Sequence, residues 1–346
     1  MNEPKGTIIL TGANGGLGTA VAKQLSSRTQ FTGYHSLYTV RDTTSAPELR
    51  LAIGQERPTH PREILSLNVA NLNDVRRVAG AINKRVAEGQ LPPIRALILN
   101  AGFQDFGKQT WTDGFDTTFI TNYLGHWLLS MLLLKSMDKH SGRVVVIGSL
   151  SHDPHDKRNA VTGAFKQDKY KTIVQNQSTI DDIARGTWSS AREDPSWKSG
   201  YRRFGASKLF SIMMIYELQS RLDRDPVLNN IRILGVDPGT MMTGLQRHAN
   251  WFIRIVLFQI VYPVIAFFKP RGLIRSTQRS AGQVLHSAFY ADTDGAGFQE
   301  VRYYFDERLF DTGVEARDVH KRALVWKETV KFARLKGDET VLRDWA

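Results

Sequence analysis

The chain has 346 residues, of which 41% are hydrophobic and 23% charged, the composition of an ordinary globule with enough apolar residues for a full core. It contains no cysteine, which excludes disulfides, thiolate catalysis and zinc–thiolate sites. Its net charge of +12 comes from basic residues that are scattered rather than clustered with aromatic ones, so no nucleic acid is expected, and a phosphate-rich cofactor or a membrane surface explains the charge better.

No apolar run precedes the first predicted element, so no secretory signal is expected and the chain reads as cytoplasmic. Residues 7–11 are apolar and β-branched, as in a buried parallel strand. The strand breaks into Gly12, Gly16 and Gly18, and Leu17, Val21 and Leu25 then recur at helical intervals. A strand, a glycine turn and a helix N-terminus form an anion site, because free N–H groups and the positive dipole end face one point. The loop, Thr-Gly-x-x-x-Gly-x-Gly, resembles that of the short-chain dehydrogenase/reductase family. The resemblance puts Gly12, Asn14, Gly16, Leu17 and Gly18 against a dinucleotide diphosphate.

Residues 35–40 form a second strand ending at Arg41-Asp42, where a dinucleotide fold reads the adenosine ribose. Arg41 offers a fork for a 2′-phosphate, whereas Asp42 suits NAD; the position at the strand end favours NADP(H). Residues 43–62 read as a loop or ragged helix. A third strand at 64–67 leads to Asn68, where the family has an aspartate that accepts from the adenine amino group; Asn68 keeps a carbonyl acceptor. Residues 71–88 are an amphipathic helix, with Val75, Val78, Ala79, Ile82 and Val86 on one face.

The fourth strand, 96–99, ends in Asn100-Ala101-Gly102, a second signature similar to the family's, which implies contact with the cofactor. A long helix is predicted over 112–137. Asn122 inside it is unfavourable without a task, and the resemblance gives it one: opening the helix and holding a water of the proton relay. The fifth strand, 143–147, leads to Ser149, at the place of the family's serine that hydrogen-bonds the substrate oxygen. Residues 151–200 are expected to form an elaborated lid or a surface excursion. His152 and His155 in this stretch are poor metal ligands on a proline-containing loop, and no metal is expected.

A helix opening at Tyr201 and running to about residue 222 carries Lys208, which matches the lysine of the family's Tyr-x-x-x-Lys. Residues four apart share a helix face, so the ammonium can lower the phenol pKa from about 10 for proton exchange near neutrality. Here the tyrosine position holds Phe204, which has no hydroxyl to donate. A sixth strand, 231–236, precedes Pro238-Gly239 and Thr243, which resemble the family's Pro-Gly-x-x-x-Thr turn and imply contacts to the nicotinamide amide and diphosphate.

Residues 251–268 are the most apolar run and read as a substrate lid. With Lys269, Arg271 and Arg275 behind it, peripheral contact with an anionic membrane through 251–275 is expected. A helix at 276–288, an edge strand at 301–305 and a helix at 319–335 complete the chain. The whole is read as one domain, 1–346: a doubly wound parallel α/β sheet of Rossmann type with helices on both faces. It carries an insertion at 151–200, an apolar lid at 244–275 and a C-terminal extension at 291–346.

The resemblance implies an NADP(H)-dependent oxidoreductase of a ketone or alcohol on a lipophilic small molecule, similar to the retinol-dehydrogenase-like and fungal secondary-metabolism branches. A homo-oligomer is compatible with it. Ser149, Lys208 and Asn122 would be the catalytic residues. Phe204 leaves two further readings open, a non-redox enzyme for cyclisation or isomerisation and a cofactor-bound scaffold.

Overall fold

The computed structural model describes residues 4–54, 61–241, 275–290 and 302–346. The strands arise from the expected β-branched runs: β1 (Gly6–Thr11), β2 (Tyr34–Val40), β3 (Arg62–Ser66), β4 (Ile94–Leu99), β5 (Arg143–Ile147), β6 (Arg232–Asp237) and β7 (Tyr303–Phe305), with a short β8 (Arg308–Leu309). All pair in parallel except β8, which turns back on β7. Their order across the sheet is β8-β7-β6-β5-β4-β1-β2-β3. The chain reverses its direction of travel between β1 and β4, which opens a crevice at the C-terminal ends of those strands.

Both faces are covered, and successive strand residues feed opposite layers. Ile9, Leu97 and Val146 pack on one side with α3 (Leu72–Ala87), α4 (Gly125–Leu133), α6 (Trp197–Arg224) and α8 (Val319–Ala333). Ile8, Leu10, Ile98 and Ile147 pack on the other with α1 (Gly16–Ser27), α2 (Pro47–Ile53) and α7 (Thr277–Phe289). The described residues thus form the doubly wound sheet expected from the sequence.

Several boundaries differ from expectation. The predicted helix over 112–137 starts later: Trp111–Thr112 and Phe115–Asp116 form a small hairpin, and Asp116 caps a turn at Thr117–Phe119. A π-helical turn, Ile120–Leu124, then carries Asn122 into α4. The helix bearing Lys208 begins before Tyr201, at Trp197, because Ser196 accepts from Lys198 N as its cap. The strand expected at the sheet edge is interior, since β8 covers it.

Residues 151–200 are more ordered than a plain loop. They contain short turns and α5 (Gln177–Arg185), closed by Gly186 in the left-handed conformation. The described part of the C-terminal extension is built into the core: Trp326 of α8 packs edge-on against Trp127 of α4, ring centroids 5.1 Å apart. Thr243, Lys269, Arg271 and the apolar run 251–268 lie outside the described residues. Arg275 does not belong to a membrane-facing flank: it is buried, donates to Gln283 Oε1 at 2.9 Å and stacks on Phe305. Among the described residues, no helix is long and apolar enough to cross a membrane.

Candidate active site

The C-terminal ends of β1, β4, β5 and β6 converge on one crevice. At the end of β1 the chain turns at Gly12, which has φ +64°. A Cβ there would meet Ala101 Cα at 2.7 Å, so the first glycine makes room for the Asn-Ala-Gly turn after β4. Asn100 Nδ2 donates to Thr11 O at 2.8 Å and to Gly12 O at 3.1 Å, while Thr11 Oγ1 accepts from the backbone of Asn100 and Ala101. The two motifs expected to contact the cofactor therefore form one hydrogen-bonded unit.

A Cβ on Gly18 would run into the Gly12 carbonyl, which fixes how closely α1 approaches the loop. The N-terminus of α1 has neither a side-chain cap nor an acidic residue in its first turn. Its leading N–H groups, at Gly16, Leu17 and Gly18, have no acidic side chain of their own turn competing for them, and Asn14 in the loop before them is exposed. These residues fit a diphosphate.

At the end of β2, Asp42 turns back on its own loop. It accepts from Thr44 N and Oγ1 at 2.9 and 2.7 Å and from Ser45 Oγ at 2.6 Å, which hold its carboxyl at about 2. Arg41 is exposed, and among the described residues its side chain has no partner. The strand end thus presents a free guanidinium and a committed carboxylate, the arrangement that suits a 2′-phosphate. Asn68 Oδ1 accepts from Ala70 N at 3.1 Å, which leaves one lone pair and the amide. Pro238 and Gly239 (φ +73°) turn the chain after β6, held by Ser280 Oγ donating to Pro238 O at 2.6 Å.

Ser149, just beyond β5, accepts at Oγ from Ser151 Oγ at 3.0 Å and from Ser151 N at 3.2 Å. Both contacts are donated to it, so its own hydroxyl hydrogen remains to be given to a ligand oxygen. Lys208 reaches the same strand end from α6, where Nζ donates to Ile147 O at 2.7 Å. Burial holds its ammonium down at about 8, with the Asp237 carboxylate pulling the other way. The ring one turn earlier, Phe204, is buried with its centroid 5.5 Å from Nζ.

Asn122 lies in the π-helical turn, at the place where the helix was expected to open, and its side chain joins two segments. Its amide exchanges hydrogen bonds with the Phe103 backbone, accepting from N at 2.7 Å and donating to O at 2.9 Å, and also donates to Ser207 Oγ at 3.0 Å. The main-chain carbonyl of Asn122 accepts from His126 Nδ1 at 3.3 Å and Ser211 Oγ at 3.4 Å. Asn122 is a brace between the loop after β4 and α6. Ser149, Lys208, Phe204 and the glycine loop are brought together at one edge of the sheet.

Sequence reasoning passed over His126 and Asp237 and weighed His152 only as a metal ligand. His126, one turn after Asn122, is buried and bonded to Thr11 Oγ1 at 3.0 Å; burial and Lys208 push it down to about 3, so it is neutral. His152 bridges Ser149 O, at 2.7 Å from Nδ1, and Gly313 N, at 2.9 Å from Nε2. The carbonyl accepts and the amide donates, so His152 is the neutral Nδ1–H tautomer. Asp237, whose carboxyl burial pushes up, accepts from Gly239 N at 2.9 Å. Its place directly before Pro238-Gly239 was the available signal.

A short chain dehydrogenase family model matches residues 6–166. The "Short-chain dehydrogenase iccH" of Talaromyces variabilis is 39% identical, covering 100% of both chains. This chain belongs to the short-chain dehydrogenase/reductase family. It is also similar to the polyprenol dehydrogenase of Mus musculus, 26% identical over 98% of this chain and 87% of that one. Among solved structures, a short chain dehydrogenase from Burkholderia cenocepacia in complex with NADP shares the fold with a TM-score of 0.53 and 18% identity, covering 83% of this chain and 91% of that one.

Proposed function

We propose that this family member is an NADP(H)-dependent reductase of a ketone, or dehydrogenase of the matching alcohol, on a lipophilic small molecule of secondary metabolism. The observation that carries the reading is the pairing of a Ser149 hydroxyl free to donate with the Lys208 ammonium 2.7 Å from Ile147 O, on the edge that bears the open N-terminus of α1. NADPH would lie with its diphosphate at Gly12, Gly16 and Gly18, its 2′-phosphate at Arg41 and its nicotinamide ribose at Lys208, and it would supply a hydride. Ser149 would hold the substrate oxygen. The buried, apolar Phe204 and the polyprenol dehydrogenase among the relatives support a lipophilic substrate.

The test is NADPH oxidation followed with a panel of apolar ketones. Ketone-dependent oxidation supports the reading; bound NADPH with no turnover on any ketone overturns it. Phe204, where the family's phenol would stand, favours one second reading, a non-redox enzyme or scaffold that keeps the cofactor. Product analysis under redox-neutral conditions separates those two. The run 251–268 with Lys269 and Arg271 supports peripheral contact with anionic membranes. Co-sedimentation with anionic vesicles should then be strong at low salt and weaken as salt rises.

A further inference from the structure

Carbonyl reduction needs a proton as well as a hydride, and Phe204 has none to give. Of the other hydroxyls and rings near the crevice, those of Tyr201, Tyr123, His126 and His152 are committed elsewhere, and the Tyr303 hydroxyl is buried without a hydrogen-bond partner among the described residues. Tyr201 donates to Asn159 Oδ1 at 2.7 Å, and Asn159 in turn donates to Leu150 O. Tyr123 is paired with Thr329 Oγ1 at 2.7 Å in the core behind α4. The Tyr303 hydroxyl is buried against Gly148, where a Cβ would collide with it, and burial raises its pKa well above the ordinary phenol value. His126 and His152 are buried and neutral, with both ring nitrogens of each engaged.

Lys208 differs from all of these. Its ammonium is carried to the strand end by one bond, to Ile147 O, two residues before the Ser149 hydroxyl. Among the described residues it has no second hydrogen-bond acceptor, so N–H groups remain to be directed into the crevice. The Phe204 ring walls one side of Nζ at 5.5 Å and offers only its π face. The space that a phenol hydroxyl would share with the ammonium is left to the ammonium.

We propose that the Lys208 ammonium is itself the proton donor to the substrate carbonyl oxygen, with Ser149 holding that oxygen; the proposal rests on the reductase reading above. Bound NADPH would supply the hydride that the carbonyl carbon receives. As the C=O π pair moves onto oxygen, an N–H bond of Lys208 breaks and an O–H bond forms. The balance is alcohol, NADP⁺ and a neutral Lys208 amine, which regains its proton from water. An ammonium at an ordinary value near 10.5 would be a weak donor at neutrality, and burial brings Lys208 to about 8. The groups facing it are the Asp237 carboxylate from β6, neutral His126 from α4, the Ile147 carbonyl from β5 and the Phe204 ring from α6.

The test joins a titration to kinetics. The Lys208 signal is followed by NMR in the full chain labelled with ¹³C-lysine, assigned by loss in Lys208→Arg. NADPH-dependent reduction of α-tetralone is measured across the same pH range. The expected result is one midpoint near 8 in both, with the rate falling about tenfold per pH unit above it. Lys208→Arg, which keeps the charge but does not titrate in this range, should lose about 10²-fold and the descending limb with it. NADPH affinity is measured alongside, so that lost binding is not read as lost chemistry. A rate unchanged to pH 9.5 in wild type, or a titration midpoint above 10, overturns the lysine donor while leaving the reductase reading intact. If wild type and Phe204→Tyr both bind NADPH and neither reduces any ketone, the reductase reading falls and this proposal with it.

Discussion

The Lys208 ammonium lies 5.5 Å from the centroid of the Phe204 ring, one helical turn away on the same face of α6. A hydroxyl added to that ring would enter the crevice beside an ammonium able to lower its pKa. Phe204→Tyr is therefore expected to raise NADPH-dependent carbonyl reduction by about 10²-fold, the lower part of the range for a positioned general acid. Phe204 is only 7% exposed, so the extra oxygen can cost about 1–3 kcal/mol of stability if the pocket resists it. A thermal melt reads that cost separately. A stable variant that binds NADPH but reduces ketones no faster than wild type would show that the ring does not stand where the substrate oxygen is met.

Cofactor choice rests on the contrast between Arg41, exposed and without a side-chain partner among the described residues, and Asp42, held by Thr44 and Ser45. Wild type should bind NADPH several-fold or more tightly than NADH, by fluorescence titration. Arg41→Ala should abolish the preference by weakening NADPH, at a cost of about 1–2 kcal/mol for a lost charge-assisted phosphate bond, and leave NADH nearly unchanged. Equal affinities in wild type would refute the assignment of Arg41. Asp42→Ala should loosen the turn more than it alters the preference.

The neutral histidines predict an acid limb in stability. Burial depresses the folded-state pKa of His126, to about 3, and that of His152, whereas in the unfolded chain each titrates near 6.5. Below about pH 6.5 the unfolded state binds protons that the native state refuses. The stabilisation is thus present above pH 6.5 and is lost as pH falls through the folded values. Asp237 works in the opposite sense: burial raises its folded-state carboxyl above the unfolded 3.8, so as pH falls from that raised value to 3.8 the native state takes the proton first and gains stability, which offsets part of the histidine limb where the two overlap. Urea unfolding between pH 7.5 and 5 should show a loss of up to about 1.4 kcal/mol per pH unit for each histidine. His152→Ala should be weaker at pH 7.5 and depend less on pH. An unaltered slope in that variant would mean that the bridge from Ser149 O to Gly313 N does not hold His152 neutral.

How much of this was legible depended on how local the cause was. The glycine loop was readable because a left-handed Gly12 and a close-packed Gly18 are demanded within a few residues of one another. Lys208 and Phe204 were readable because helical spacing alone puts them on one face. Asn122 announced itself as an interior polar residue, but its side-chain partners at Phe103 and Ser207 come from distant segments and could not be read locally. Arg275 read as a surface cation beside an apolar run, because nothing local announces Gln283 and Phe305 closing over it. The start of α6 was missed by one turn, although Ser196 before Trp197 is an ordinary capping residue. The polar stretch 151–200 hid its order for the same reason as Arg275: its anchors lie on another element.

Those anchors are Arg202 and Arg203, adjacent in the first turns of α6, and the second of them yields the last prediction. Arg202 donates to Ser189 Oγ at 2.7 Å and Ala164 O at 3.1 Å and pairs with Asp194 at 2.5 Å, all within the 151–200 insertion. Arg203 pairs with Asp105 at 2.5 Å and Asp116 at 3.2 Å and also donates to Ser189 O. Arg203 and both aspartates are buried, so the cluster ties the loop after β4, the cap of the Thr117–Phe119 turn and the insertion to the residue just before Phe204. Truncating one side of a buried pair leaves an uncompensated charge, which costs about 3–5 kcal/mol. Arg203→Met should therefore lose about that much in urea unfolding, and adding Asp105→Asn should return part of it by removing one stranded carboxylate. Both variants should also reduce ketones more slowly than wild type at saturating NADPH, because the turn that carries Phe204 and Lys208 is no longer fixed against the loop at Phe103. A loss below about 1 kcal/mol for Arg203→Met would show that the two carboxylates find water instead, and that the insertion is held without Arg203.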